Sequence, residues 1–75
     1  MKREELERLR QEYPEGTRVV MILMEDDPRP IAPGSVGTVN HVDDAGQIHI
    51  SWDSGRTLAV IPGVDKFRLA SEGRK

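Results

Sequence analysis

The chain has 75 residues, of which 36% are hydrophobic and 32% are charged, and it contains no cysteine. This length holds a single domain, and the lack of thiols excludes disulfides and thiolate zinc sites as sources of stability. The net charge of −2 disfavours a strong phosphate binder, whose surface is basic. Because no apolar run is long enough to span a membrane and the charged opening lacks a secretory apolar segment, we expect a cytoplasmic protein without membrane association.

Residues 1–15 are predicted to form a short surface helix that ends at Pro14 and Gly16. Leu6, Leu9 and Tyr13 recur at the spacing of one helical face. A helix of about 12 residues is marginal in isolation, so this apolar face has to dock on something. The sheet is the first expectation, and a second chain is the alternative.

From Gly16 onward the apolar residues recur with a period of two, and turn residues interrupt them repeatedly. This pattern predicts a mainly β fold, with a small five-stranded barrel over 16–70 preceded by the short N-terminal helix. The tail 71–75 is expected to be frayed. The predicted strands are 17–24, 36–42, 47–52, 56–61 and 66–69.

The first strand is apolar on both faces, because residues 19–24 read Val-Val-Met-Ile-Leu-Met without alternation. A half-exposed strand would alternate, so either the helix or a partner subunit is expected to cover its outer face. Six residues are therefore candidates for self-association: Leu6, Leu9, Tyr13, Val20, Ile22 and Met24.

Two hairpins determine the expected strand register. Residues 43–46 (Asp-Asp-Ala-Gly) and 52–56 (Trp-Asp-Ser-Gly-Arg) each suit a type I turn followed by a left-handed glycine. A two-residue turn in the second hairpin would split its apolar side chains between the two faces of the sheet. Val39 falls out of step with this register unless a β-bulge lies near Asn40, and we predict that bulge. The expected inner-face pairs are Val42 with Ile48, Ile48 with Val60, and Ile50 with Leu58.

Two strings in the chain resemble those of SH3-like barrels that bind nucleic acid or protein. The first is PGSVGTV at 33–39, and the second runs through 43–55 as DDAGQIHISWDSG. From KREEL at 2–6 through IPGVDKFR at 61–68, the chain resembles a family of short proteins of unknown function found in bacteria, their phages and integrative elements. This resemblance implies an SH3-like barrel and no assigned chemistry.

His41 and His49 are expected to be cross-strand neighbours on the outer face of the sheet. They could contribute to a metal site, but zinc needs three or four ligands, and only Asp43 or a second chain could supply the others. We therefore expect an exposed polar pair and no metal.

Five residues are candidates for partner binding. Trp52, the only tryptophan, is expected to close the barrel core while leaving an edge exposed, with Arg56 across from it in reach of a cation–π contact. Asp26, Asp27 and Arg29 lie in the long loop that flanks the peptide groove of SH3-like barrels, where acidic residues would suit a basic partner. The alternative is that these charges only keep a proline-rich loop solvated.

No arrangement of nucleophile and base, phosphate-binding loop or zinc-binding string is present, so we expect no enzyme and no cofactor. Gly34 and Gly37 are assigned to turns. The leading hypothesis is a non-catalytic protein-binding or assembly module of a bacterial phage or mobile element, with a host or phage protein or a second copy as partner. One alternative is a nucleic-acid-binding barrel, which charge does not favour and which requires Arg29, Arg56 and Arg68 to cluster. Another is an oligomer that binds a nucleotide or other small ligand between subunits.

Overall fold

The computed structural model describes residues 2–25 and 27–70, which form one helix and five strands. All five strands belong to one open antiparallel sheet in the order β4-β3-β2-β1-β5. The predicted mainly β fold with a preceding helix is confirmed at this level, whereas Asp26 and the expected frayed tail at 71–75 lie outside the described residues. The elements are α1 Arg3–Glu12, β1 Arg18–Leu23, β2 Val36–Val42, β3 Ile48–Trp52, β4 Thr57–Val60 and β5 Lys66–Leu69.

The strand register agrees with the register expected from the two hairpins. Ile48 pairs with Val42 on one side and with Val60 on the other, and Ile50 pairs with Leu58. The register of β2 against β3 shifts between Val39 and His41, which confirms the β-bulge predicted near Asn40. The inner apolar residues of β2, β3 and β4 therefore share one face.

The core lies on this inner face, where buried side chains alternate with outward ones along β3. Partly buried residues of α1, β4 and β5 pack against it. In the described part of the chain no helix has the length and apolarity needed to cross a membrane. The buried hydrophobic residues are Val19, Met21, Met24, Ile31, Val39, Val42, Ile48, Ile50, Trp52 and Val60.

The helix docks on the sheet of its own chain. Leu6, Leu9 and Tyr13 pack against the core, and the Tyr13 ring lies 5.7 Å from that of Phe67 in β5. Arg10 links the helix to the end of β2. Its Nε and Nη2 donate to the carbonyl of Val42 at 3.2 and 3.1 Å, and Nη2 also donates to Asp44 Oδ1 at 2.9 Å.

The first strand does not alternate along its whole length, and the expected placement of Met24 on its outer face is wrong. The pairing of β1 with β5 shifts between Met21 and Leu23, so one extra residue is accommodated there. This shift exposes Leu23 and turns Met24 inward, where it is 5% exposed. Ile22 stays exposed, so the docked helix does not cover this end of the strand.

Gly37 lies inside β2 and not in a turn, which corrects the assignment made from sequence. The φ angle of Gly37 is not positive, whereas Gly34 has a φ of 88° and lies in a turn. A Cβ atom on Gly37 would lie 2.5 Å from Ile50 Cγ2 and 2.8 Å from Trp52 Cε3. Close packing of two core side chains against the backbone therefore requires glycine at this position.

Candidate functional site

Among the described residues, four large hydrophobic side chains are exposed, and they lie in two neighbouring segments. Ile22 and Leu23 lie at the end of β1, while Ile61 and Val64, 42% and 50% exposed, lie in the turn between β4 and β5. The segments are adjacent because Leu23 pairs with Lys66, two residues beyond Val64. We call these four residues the apolar patch. Neighbouring exposed apolar side chains are a feature of interaction sites.

A shallow pocket of about 90 Å³ lies beside the patch, between the long loop and the β4–β5 turn. Small-molecule sites usually measure about 300–1,000 Å³, so this pocket has the size for one side chain of a partner and not for a cofactor. Its walls combine apolar groups with two carboxylates. The lining residues are Met24, Asp27, Ala59, Ile61, Val64 and Asp65.

The part of the long loop beside the pocket is shaped by a local turn and by a buried residue. Asp27 Oδ1 accepts a hydrogen bond from the backbone N–H of Arg29 at 2.8 Å, which forms a local turn and leaves the Arg29 side chain exposed. Further along, Ile31 is buried in the core, and its N–H points at the sulfur of Met24 at 3.5 Å. The loop therefore presents a half-buried Asp27 at the pocket.

Asp65 lies in the opposite wall of the pocket and forms hydrogen bonds with the backbone of Ile61. This residue is 9% exposed, and its Oδ2 accepts a hydrogen bond from the N–H of Ile61 at 2.8 Å. The N–H of Asp65 donates back to the Ile61 carbonyl at 2.9 Å, and that of Val64 donates to the same oxygen at 3.0 Å. The closed turn holds Ile61 and Val64 outward. Within residues 2–25 and 27–70, neither Asp27 nor Asp65 forms an ion pair.

Among the residues that the structure describes, Arg29, Trp52 and Arg56 do not line this pocket. Trp52 is 2% exposed, and its indole N–H donates to the Leu58 carbonyl at 3.1 Å, so its ring is held in the core. The backbone N–H of Trp52 donates to the backbone carbonyl of Arg56 at 2.7 Å, which confirms that the two residues are opposite each other across the hairpin. Of the predicted binding residues within 2–25 and 27–70, Asp27 lines the pocket.

Sequence reasoning missed Ile61 and Val64. Both flank the Pro62-Gly63 turn, and a tight turn at the surface exposes the large residues on either side of it. The position of Ile61 and Val64 beside this turn is the feature of the sequence that could have identified them as exposed. Among the residues predicted for self-association Ile22 is clearly exposed, whereas the others are buried or half-buried: Leu6, Leu9, Tyr13, Val20 and Met24.

The two histidines stack on the outer face, as their predicted pairing implies. Their ring centroids are 4.4 Å apart, and His49 Nε2 lies 2.8 Å from Asp43 Oδ2. The hydrogen bond with His49, and then that from the Gln47 N–H, holds the pKa of Asp43 below its ordinary value. In the described ranges, no three His, Cys, Asp or Glu side chains are arranged to hold a metal ion.

An arginine fork joins β1 to the β3–β4 turn. Arg18 Nη1 and Nη2 donate to the two carboxylate oxygens of Asp53 at 2.8 and 2.6 Å, and Nη1 also donates to Thr38 Oγ1 at 2.8 Å. The Arg18 hydrogen bonds lower the pKa of Asp53. This arginine is therefore already neutralised by its own chain.

Comparison with known proteins identifies a family without an assigned chemistry. A family model described as Domain of unknown function (DUF4314) matches residues 2–70. The match includes the helix and all five strands. No curated protein and no solved structure matches the chain.

Proposed function

The chain belongs to the DUF4314 family, a domain of unknown function, and we propose that it is a non-catalytic protein-binding module. The observation that carries the proposal is the apolar patch, with Ile61 and Val64 exposed on a hydrogen-bonded turn beside a pocket the size of one side chain. A protein partner that covered these residues would remove apolar surface from water, which is worth about 25 cal/mol per Å².

The same proposal includes an SH3-like barrel, a cytoplasmic location and an origin in a bacterial phage or mobile element. The barrel is supported by the strand order, in which β1 pairs with both β2 and β5, and by the long loop between β1 and β2. The origin rests on the sequence resemblance alone. In such a barrel the patch lies next to the loop that flanks the binding groove.

Nucleic-acid binding is the alternative that we do not favour. The net charge is −2, and Arg18 is occupied by Asp53. Binding of this kind would show retention of DNA or RNA at about 50 mM salt and a steep loss of affinity as salt rises. Retention of either nucleic acid under these conditions would replace the present proposal.

The test compares a patch variant with a matched control. Val64→Asp places a charge on the patch, and Ala45→Asp places the same charge on the exposed β2–β3 turn. A partner identified by capture should bind the purified wild-type protein and Ala45→Asp equally. We expect Val64→Asp to weaken that complex at least tenfold in Kd, because it replaces apolar contact surface with a carboxylate that loses its water at the interface.

Equal affinity of all three proteins would refute the patch as the binding surface. Light scattering on the same samples shows whether the partner is a second copy of the chain. A dimer that Val64→Asp dissociates, and Ala45→Asp does not, would identify self-association as the function of the patch.

A further inference from the structure

The pocket beside the apolar patch contains two carboxylates and no counter-ion from the described residues. Each carboxylate uses one oxygen for the local backbone: Asp27 Oδ1 accepts from the Arg29 N–H, and Asp65 Oδ2 accepts from the Ile61 N–H. In residues 2–25 and 27–70 the second oxygen of each has no hydrogen-bond donor. Each carboxylate is thus anchored through one oxygen, and its other oxygen is left to accept a hydrogen bond from a ligand.

The remaining walls of the pocket are apolar. Met24 is buried against the core, and Ile61 and Val64 stand exposed at the turn. An anionic ligand would be repelled here, and a purely apolar side chain would remove water from the carboxylates without replacing its hydrogen bonds. Lysine and arginine satisfy both kinds of wall, because their aliphatic stems pack on apolar surface while their charged ends reach polar groups.

We infer that the pocket binds a lysine or arginine side chain of the partner protein, with an apolar residue next to it in sequence lying on Ile61 and Val64. The volume of about 90 Å³ admits one such side chain end. This inference rests on the proposed function, since it gives the chemistry of the partner segment that the patch would recognise.

Three short peptides test the inference directly: acetyl-Gly-Leu-Lys-Val-Gly-amide, the same peptide with norleucine for lysine, and the same peptide with glutamate for lysine. Titration into ¹⁵N-labelled protein is followed through the backbone amide signals. We expect the lysine peptide to shift the amides of Asp27, Ile61 and Val64 with a Kd in the millimolar range. It should bind about fivefold more tightly than the norleucine peptide, as for a partly exposed ion pair, and the glutamate peptide should bind most weakly.

Asp27→Asn is the informative variant, because its side-chain carbonyl can still accept from the Arg29 N–H while the negative charge is removed. The control is Glu15→Gln, which makes the same charge change at an exposed position that does not line the pocket. Asp27→Asn should lower the affinity for the lysine peptide about fivefold. It should not weaken binding of the norleucine peptide, because an amide costs less to desolvate than a carboxylate, and Glu15→Gln should change the affinity of neither peptide.

Equal binding of the lysine and norleucine peptides, with Asp27→Asn equal to wild type, would overturn the inference and leave the patch as a binding surface. Absence of shifts at Ile61 and Val64 with every peptide would also overturn it. Failure of the proposed function is seen separately, as partner binding that Val64→Asp does not weaken. An equal loss of lysine-peptide affinity in Asp27→Asn and Glu15→Gln would show that only the overall charge acts, which again contradicts a specific pocket.

Discussion

Replacing Gly37 by alanine should destabilise the protein by about 1–2 kcal/mol. The added Cβ would lie 2.5 Å from Ile50 Cγ2 and 2.8 Å from Trp52 Cε3, and both side chains are buried in the core. Overpacking of this kind costs about 1–3 kcal/mol, and the smaller entropy of the unfolded alanine chain returns about 0.4–1 kcal/mol. For a domain of this size, the net change corresponds to a fall in Tm of about 5–15 °C.

Urea unfolding followed by the fluorescence of Trp52 measures this change, because this single tryptophan is buried in the folded protein. Ile50→Leu removes the Cγ2 atom in the way, so the double variant Gly37→Ala/Ile50→Leu should cost less than the sum of the single variants, by about 0.5 kcal/mol or more. Gly34→Ala is the control. It is strained by a φ of 88° with no atom within 4 Å of the new Cβ, so its cost should add to that of Ile50→Leu.

A Gly37→Ala protein that unfolds at the wild-type urea concentration would refute the packing argument. Strict additivity of Gly37→Ala with Ile50→Leu would refute it as well, since the cost would then not arise at the contact with Ile50.

Three further predictions concern the helix, the ion pairs and the core. Arg10→Ala should speed hydrogen exchange of the α1 amides by about fivefold, a loss of about 1 kcal/mol of docking, whereas Arg8→Ala should leave it unchanged. The Arg18 hydrogen bonds lower the pKa of Asp53, so their stabilisation is present above the ordinary aspartate pKa of about 3.9 and is lost as pH falls through the lowered value. Asp53→Asn should therefore flatten the fall of the urea midpoint below about pH 4. Iodide should quench the fluorescence of Trp52 strongly only after unfolding, and strong quenching in the folded state would contradict its burial.

The parts of the fold predictable from sequence are those governed by local turn chemistry. The glycines at 46 and 55 have φ of 86° and 99°, and each lies at the left-handed position that its hairpin requires. Once these turns are fixed, the apolar pattern allows one register, and the β-bulge at Asn40 follows from the mismatch of Val39 with Val42. Turn type and side-chain period agree there, so the prediction is well determined.

The parts that could not be predicted depend on contacts between distant segments. In β1, residues 19–24 are all apolar, so no alternation in the sequence marks the shift that turns Met24 inward. Glycine is common in turns, and only the positions of Ile50 and Trp52 in three dimensions show why Gly37 must lack a side chain. The pocket could not be predicted for the same reason, because its walls come from Asp27 and Asp65, which are distant in the sequence.

The pairing of β1 with β5 joins Val19 to Leu69, so the second strand partner of β1 is encoded near the far end of the described chain. The meander of β2, β3 and β4 needs only short loop closures, whereas joining β1 to β5 closes a loop of about fifty residues. Because closing a longer loop costs more chain entropy, the β1–β5 pairing should form more slowly. During synthesis the hairpins should therefore gain protection first, in pulse-labelled hydrogen exchange, and the wall that carries Ile61, Val64 and Asp65 should form last. A chain that ends before residue 66 would keep the segments of the β2–β4 meander but would lack the β1–β5 pairing that brings Asp27 beside Asp65.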